Sequence, residues 1–168
     1  MAPWLTQLDV LLEAYRPGLV VSLLTSIAAD GTTAAYWAAN IDAALASAVG
    51  TPDTVLVNLG ANDMLSLPAE ATWKADYAYI LDALHTKCPS ADVRCVKPWR
   101  VNHDADAVTL AGWIDSVRST RAWALPGHDE SGWLKGSDNG ATMSSDGVHY
   151  STAGQTEAAA QWRTVMGY

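Results

Sequence analysis

Cysteine, basic charge and uninterrupted apolar sequence are all scarce in this chain of 168 residues. Its two cysteines, Cys88 and Cys95, are too few for a thiolate metal framework. Their spacing suits either a small disulfide loop between a helix end and the next strand, or two buried thiols behaving as small hydrophobes. Neither is a good nucleophile candidate, because Cys88 precedes Pro89 at a helix stop and Cys95 falls inside an apolar strand pattern. Ten Lys and Arg against 18 Asp and Glu give a net charge of -8 and leave no basic patch to neutralise phosphates. A nucleic-acid or anionic-membrane surface is therefore not expected. No run approaches the roughly 18 apolar residues of a membrane span. Met1-Ala2-Pro3-Trp4-Leu5 has neither a positive n-region nor an apolar h-region, so no signal peptide is expected, and the compartment stays open. Phenylalanine is absent beside eight Trp, an imbalance with no functional implication.

What is present is enough for one good core: 49% hydrophobic and 17% charged residues, read as a single domain over 1–168. Helical and strand patterns alternate without repeats, which implies βαβ units around a parallel sheet. Trp4, Leu5, Leu8, Leu11, Leu12 and Tyr15 recur at helical spacing and stop at Arg16-Pro17-Gly18. Strands are expected at 19–27, 54–59, 93–97 and 121–125, and helices at 33–49, 73–85, 108–117 and 153–166. The stretch 126–145 carries Gly, Asp, Asn and Ser without a period, and reads as a long functional loop.

Two short strings carry chemistry. Gly60-Ala61-Asn62-Asp63 follows the apolar strand 54–59, at the carboxyl end where open α/β sheets bind ligands. Asp146-Gly147-Val148-His149 sets a carboxylate three residues before an imidazole, a spacing at which the acid orients the ring and stabilises its protonated form. Each also has a plainer reading: Asn-Asp after Gly is common turn chemistry, and Ser151 or Thr152 suits a helix N-cap. Asp63 is expected to bond within its own turn. His85 and His103 are expected to be solvated, and His128, in the long loop, is only a secondary candidate to line a binding cleft.

In this order and at these element ends, the two strings resemble the SGNH (GDSL-type) hydrolase family, and the likeness covers most of the chain. That family orders its sites as a Gly-Asp-Ser turn, a Gly turn, Gly-x-Asn-Asp, and Asp-x-x-His before the last helix. Ile27-Ala28-Ala29-Asp30-Gly31-Thr32-Thr33 resembles the Gly turn, with Ala29 an alternative to Gly31 at the key position. The resemblance implies a three-layer α/β/α, flavodoxin-like fold with a mostly parallel sheet. It also implies ester hydrolysis, with His149 as general base and then acid, Asp146 orienting it, and the Asn62 amide and Gly31 backbone N–H as oxyanion donors. No metal and no cofactor are implied; the partner is a small acyl or acetyl ester.

The Gly-Asp-Ser block has no counterpart ahead of Trp4. Three explanations are open: a truncated or misassigned form of an active esterase, a pseudoenzyme or carbohydrate- or ester-binding module that binds without cleaving, or a sheet that closes the gap by pairing 19–27 directly with 54–59; as given, the chain is expected to turn over activated esters weakly at best. In the third, Ser26 becomes the candidate nucleophile, in preference to Ser22, which lies deeper in the strand; an ordinary strand-end serine is the plainer reading. A strand borrowed instead from another chain would make the assembly a homo-oligomer or dependent on a partner peptide.

Overall fold

The computed structural model describes residues 29–48, 50–134, 142–144 and 146–167. The helix expected from Trp4 to Tyr15, the strand 19–27 with Ser22 and Ser26, and its pairing with 54–59 lie outside these residues.

Thr33 opens the first helix, its hydroxyl accepting the Tyr36 N–H at 3.3 Å as an N-cap. Helix α1 (Ala34–Ala46) leads to strand β1 (Thr54–Val57), then α2 (Glu70–Lys87), β2 (Asp92–Lys97), α3 (Asp104–Arg118), β3 (Ala124–Asp129) and α4 (Thr152–Val165). Single 3-10 turns follow β1 and β3, at Asp63–Leu65 and Glu130–Gly132. The three described strands run parallel in the order β1-β2-β3, with Val55 opposite Val93 and Val93 opposite Ala124. Parallel neighbours need crossovers, and α2 and α3 supply them.

Alternation along β2 assigns the layers. Cys95 meets Tyr77 of α2, and Lys97, on the same face, pairs with Asp115 of α3 at 2.7 Å. Arg94, on the other face, donates to the Val165 carbonyl at the end of α4 at 2.9 Å. The sheet therefore lies between α2 and α3 on one side and α4 on the other, the α/β layering the sequence implies. Trp73, Tyr77, Ile80, Leu81 and Leu84 form the buried stripe of α2, with Trp73 and Tyr77 stacked at 4.7 Å. Indoles and phenols thus do the large-volume packing.

Strand β3 begins later than expected and runs through Pro126, Gly127 and His128, which the sequence reading gave to a loop. Among the described residues β3 is an edge strand, where a proline's missing donor is tolerated, and the β2–β3 register shifts between Cys95 and Lys97. Cys88 and Cys95 are both free and buried, not disulfide-bonded. Cys88 ends α2 through its N–H to the Leu84 carbonyl, while Cys95 stays in the core beside Tyr77.

Candidate active site

The loops that follow the three strands meet at one edge of the sheet, and the two motifs lie among them. After β1, Gly60 adopts φ +123, and a side chain there would have its Cβ 2.3 Å from Leu110 Cδ2, so only glycine lets the turn press on α3. The turn presents Asn62, whose Nδ2 donates to the Thr32 carbonyl at 3.1 Å. This brings the Gly31 turn against Asn62. Gly31 itself is exposed, with φ +70. Asp63 bonds its own backbone N–H, as expected, and also reaches inward. Its carboxylate, 4% exposed, accepts the Ala34 N–H at the start of α1 with both oxygens at 3.2 Å and the Trp73 indole N–H at 3.0 Å. Burial raises its pKa despite these donors.

Ahead of α4, the His149 Nδ1 lies 2.6 Å from Asp146 Oδ2. The other Asp146 oxygen accepts the backbone N–H groups of Val148 at 2.9 Å and His149 at 2.8 Å. These bonds, the His149 backbone first, hold the Asp146 pKa far below the usual carboxylate range. An ionised Asp146 on Nδ1 leaves the Nε2 lone pair as the basic position of the ring. The His149 side chain is 72% exposed, so the ring is open to an incoming molecule. Ser144 ties the loop by donating to the His149 carbonyl at 2.7 Å, and Ser151 caps α4 by accepting the Gly154 N–H at 3.1 Å. The N-cap reading and the Asp-x-x-His reading are thus compatible.

A third strand end, unnoticed in the sequence, joins these loops. Glu130, 4% exposed and just past β3, accepts the Tyr150 hydroxyl, Asn58 Nδ2 at 2.8 Å and the Trp99 backbone N–H at 3.0 Å. One buried carboxylate thus gathers the ends of β1, β2 and β3 and the residue next to His149. Burial raises the pKa of Glu130, and the same burial together with Glu130 raises that of Tyr150. From the Trp99 anchor the chain continues to Arg100, whose guanidinium donates to Asn62 Oδ1 at 3.3 Å, and to Val101, whose N–H donates to the Gly147 carbonyl at 3.0 Å. The Asn62 turn and the His149 loop are therefore fastened to consecutive residues.

The remaining histidines depart from expectation. His128 does not line a cleft: it is 3% exposed in β3, edge-on to Trp162 at 4.7 Å, and accepts the Trp133 indole N–H at 3.4 Å, with burial lowering its pKa to about 4. His85 stacks on Trp123 at 4.1 Å instead of standing in solvent, and His103 bonds Asp106 at 2.9 Å. Among the described residues no group of three His, Cys, Asp or Glu is placed to hold a metal ion.

The family model for GDSL-like lipases and acylhydrolases matches residues 2–156. Solved structures share the fold. An acetyl esterase mutant determined with acetate ion is 18% identical at a TM-score of 0.66, over 94% of this chain and 84% of that one. A Streptococcus pneumonia protein named for platelet activating factor is 17% identical at 0.65, over 82% and 69%. A carbohydrate esterase of family 3 from Talaromyces cellulolyticus is 22% identical at 0.60, over 78% and 64%. None of the curated proteins matches.

Proposed function

The chain belongs to the GDSL-like lipase and acylhydrolase family, and on that premise we propose that it hydrolyses small acyl esters, acetyl esters of carbohydrates foremost. The name of the acetyl esterase that shares its fold favours the acetyl group, and that of the carbohydrate esterase favours a carbohydrate ester. The observation that carries the reading is the His149–Asp146 pair at 2.6 Å, on a loop fastened beside the residue that holds Asn62. In this reading a hydroxyl nucleophile gives its proton to His149 Nε2 as its oxygen bonds the ester carbonyl carbon. The carbonyl π pair moves onto oxygen, where Asn62 Nδ2–H and the Gly31 N–H receive the charge. Collapse expels the alkoxide, which takes the proton from His149. Water then repeats the sequence to release the acid. Asp146 keeps the ring in the required tautomer and stabilises the imidazolium.

The candidate nucleophile, Ser26, lies outside the described residues, so the test must find the hydroxyl. Incubation with an alkyl fluorophosphonate, followed by peptide mass spectrometry, is expected to show a single phosphonylated serine, lost in His149→Ala. An adduct on Ser26 would identify the nucleophile. Absence of any adduct, together with retained binding of an acetylated sugar, would favour the binding-module reading instead.

A further inference from the structure

We propose that Arg100 is a positioning residue that fixes the orientation of the Asn62 amide, so that one Nδ2 proton is aimed at the developing oxyanion. This inference rests on the esterase reading above. An asparagine amide has two orientations related by a half-turn, and its neighbours decide between them. Here they allow only one. The Arg100 guanidinium can only donate, so Oδ1 must face it, at 3.3 Å. The Thr32 carbonyl can only accept, so Nδ2 must face it, at 3.1 Å. Nδ2 carries two protons, and Thr32 uses one. The second has no acceptor among the described residues, and the amide is polarised by a cation on its oxygen.

Arg100 is well placed to hold this aim. Its backbone is pinned on one side by the Trp99 N–H to buried Glu130 at 3.0 Å and on the other by the Val101 N–H to the Gly147 carbonyl at 3.0 Å. The other arginines described with a carboxylate partner, Arg94, Arg118 and Arg121, face Asp92, Asp115 and Asp82. Arg100 reaches a neutral amide at the motif instead.

A double-mutant cycle on an activated acetyl ester tests the role. Arg100→Met is expected to lower kcat about 10- to 100-fold with little change in KM, since the bond it supports strengthens only as charge develops on the oxyanion. Arg100→Lys, which also can only donate, should recover part of that loss. In the Asn62→Ala background, Arg100→Met should have almost no further effect. Equal losses in both backgrounds would overturn the inference while leaving the esterase reading intact. If instead Asn62→Ala leaves turnover unchanged, the oxyanion assignment itself fails. Side-chain amide NMR gives a readout independent of turnover: the Asn62 Nδ2 proton pair should shift and exchange faster in Arg100→Met, and an unchanged pair would refute the orientation role even in an inactive protein.

Discussion

Lowering the pH from 7 to 4 should weaken the fold through one residue, His128. Its ring is 3% exposed, packed edge-on against Trp162, and its Nδ1 accepts the Trp133 indole N–H at 3.4 Å. Protonating Nδ1 would set two N–H groups against each other in an apolar setting, so burial holds the pKa at about 4 instead of 6.5. The unfolded chain takes up the proton near 6.5 and the folded chain only near 4, so stability falls as pH falls through that window and is level below it. At about 1.36 kcal/mol per pH unit the loss is about 3 kcal/mol, or roughly 6 to 12 °C in Tm for a chain of this size. Glu130 and Asp63 oppose it, because their raised pKa values make stability fall as pH rises above the ordinary carboxylate values. Asp146, with its lowered pKa, loses its contribution only as pH falls below its ordinary value of 3.8, outside the window. The comparison is therefore the difference between the native chain and His128→Leu, which keeps the volume and cannot titrate. Urea unfolding of both at half-unit steps from pH 7.5 to 4 should show the native chain losing about 3 kcal/mol more than His128→Leu as pH falls. Parallel profiles would refute the account of a neutral, buried His128.

Glu130→Ala strands the Tyr150 hydroxyl, Asn58 Nδ2 and the Trp99 N–H, so denaturant unfolding should report a loss of about 3 kcal/mol or more. Glu130→Gln should instead remove the decline in stability as pH rises above the ordinary carboxylate value. Gly147→Ala would put a Cβ 2.0 Å from Val101 Cγ1 at φ +78; hydrogen exchange should show the Val101 and His149 amides losing protection, with partial recovery in Gly147→Ala/Val101→Ala. Asp63→Asn must turn an amide N–H toward a buried donor, at Ala34 or Trp73, and should lower Tm by several degrees while kcat changes less than tenfold; a larger fall in kcat would mean that Asp63 takes part in the chemistry.

The described elements and the places of both motifs were legible because each rests on local pattern. The stripe from Trp73 to Leu84, the apolar run before Gly60 and the three-residue step from Asp146 to His149 all depend on neighbours a few positions away. What was missed depends on distance. Glu130 meets Asn58 across 72 positions and Arg100 meets Asn62 across 38, so no window of sequence contains either pair. The one available signal was placement: Glu130 stands just past a strand, where Asn58 also stands after β1. Reading 126–145 as a loop cut that strand short at Leu125 and left His128 outside it. The long reach of Asp63 was missed because turn chemistry explained it locally, whereas Ala34 and Trp73 come from two helices.

The most direct test of the central claim is the rate of acetyl release from an activated acetyl ester by the native chain and by His149→Ala at neutral pH, with Asn62→Ala alongside. If His149 is the general base, its loss should lower kcat/KM by about 10² to 10⁴, and loss of Asn62 should lower kcat by about 10² to 10³. Turnover that is equal in the native chain and in His149→Ala, or no greater than the buffer rate in both, would contradict an ester hydrolase built on this pair.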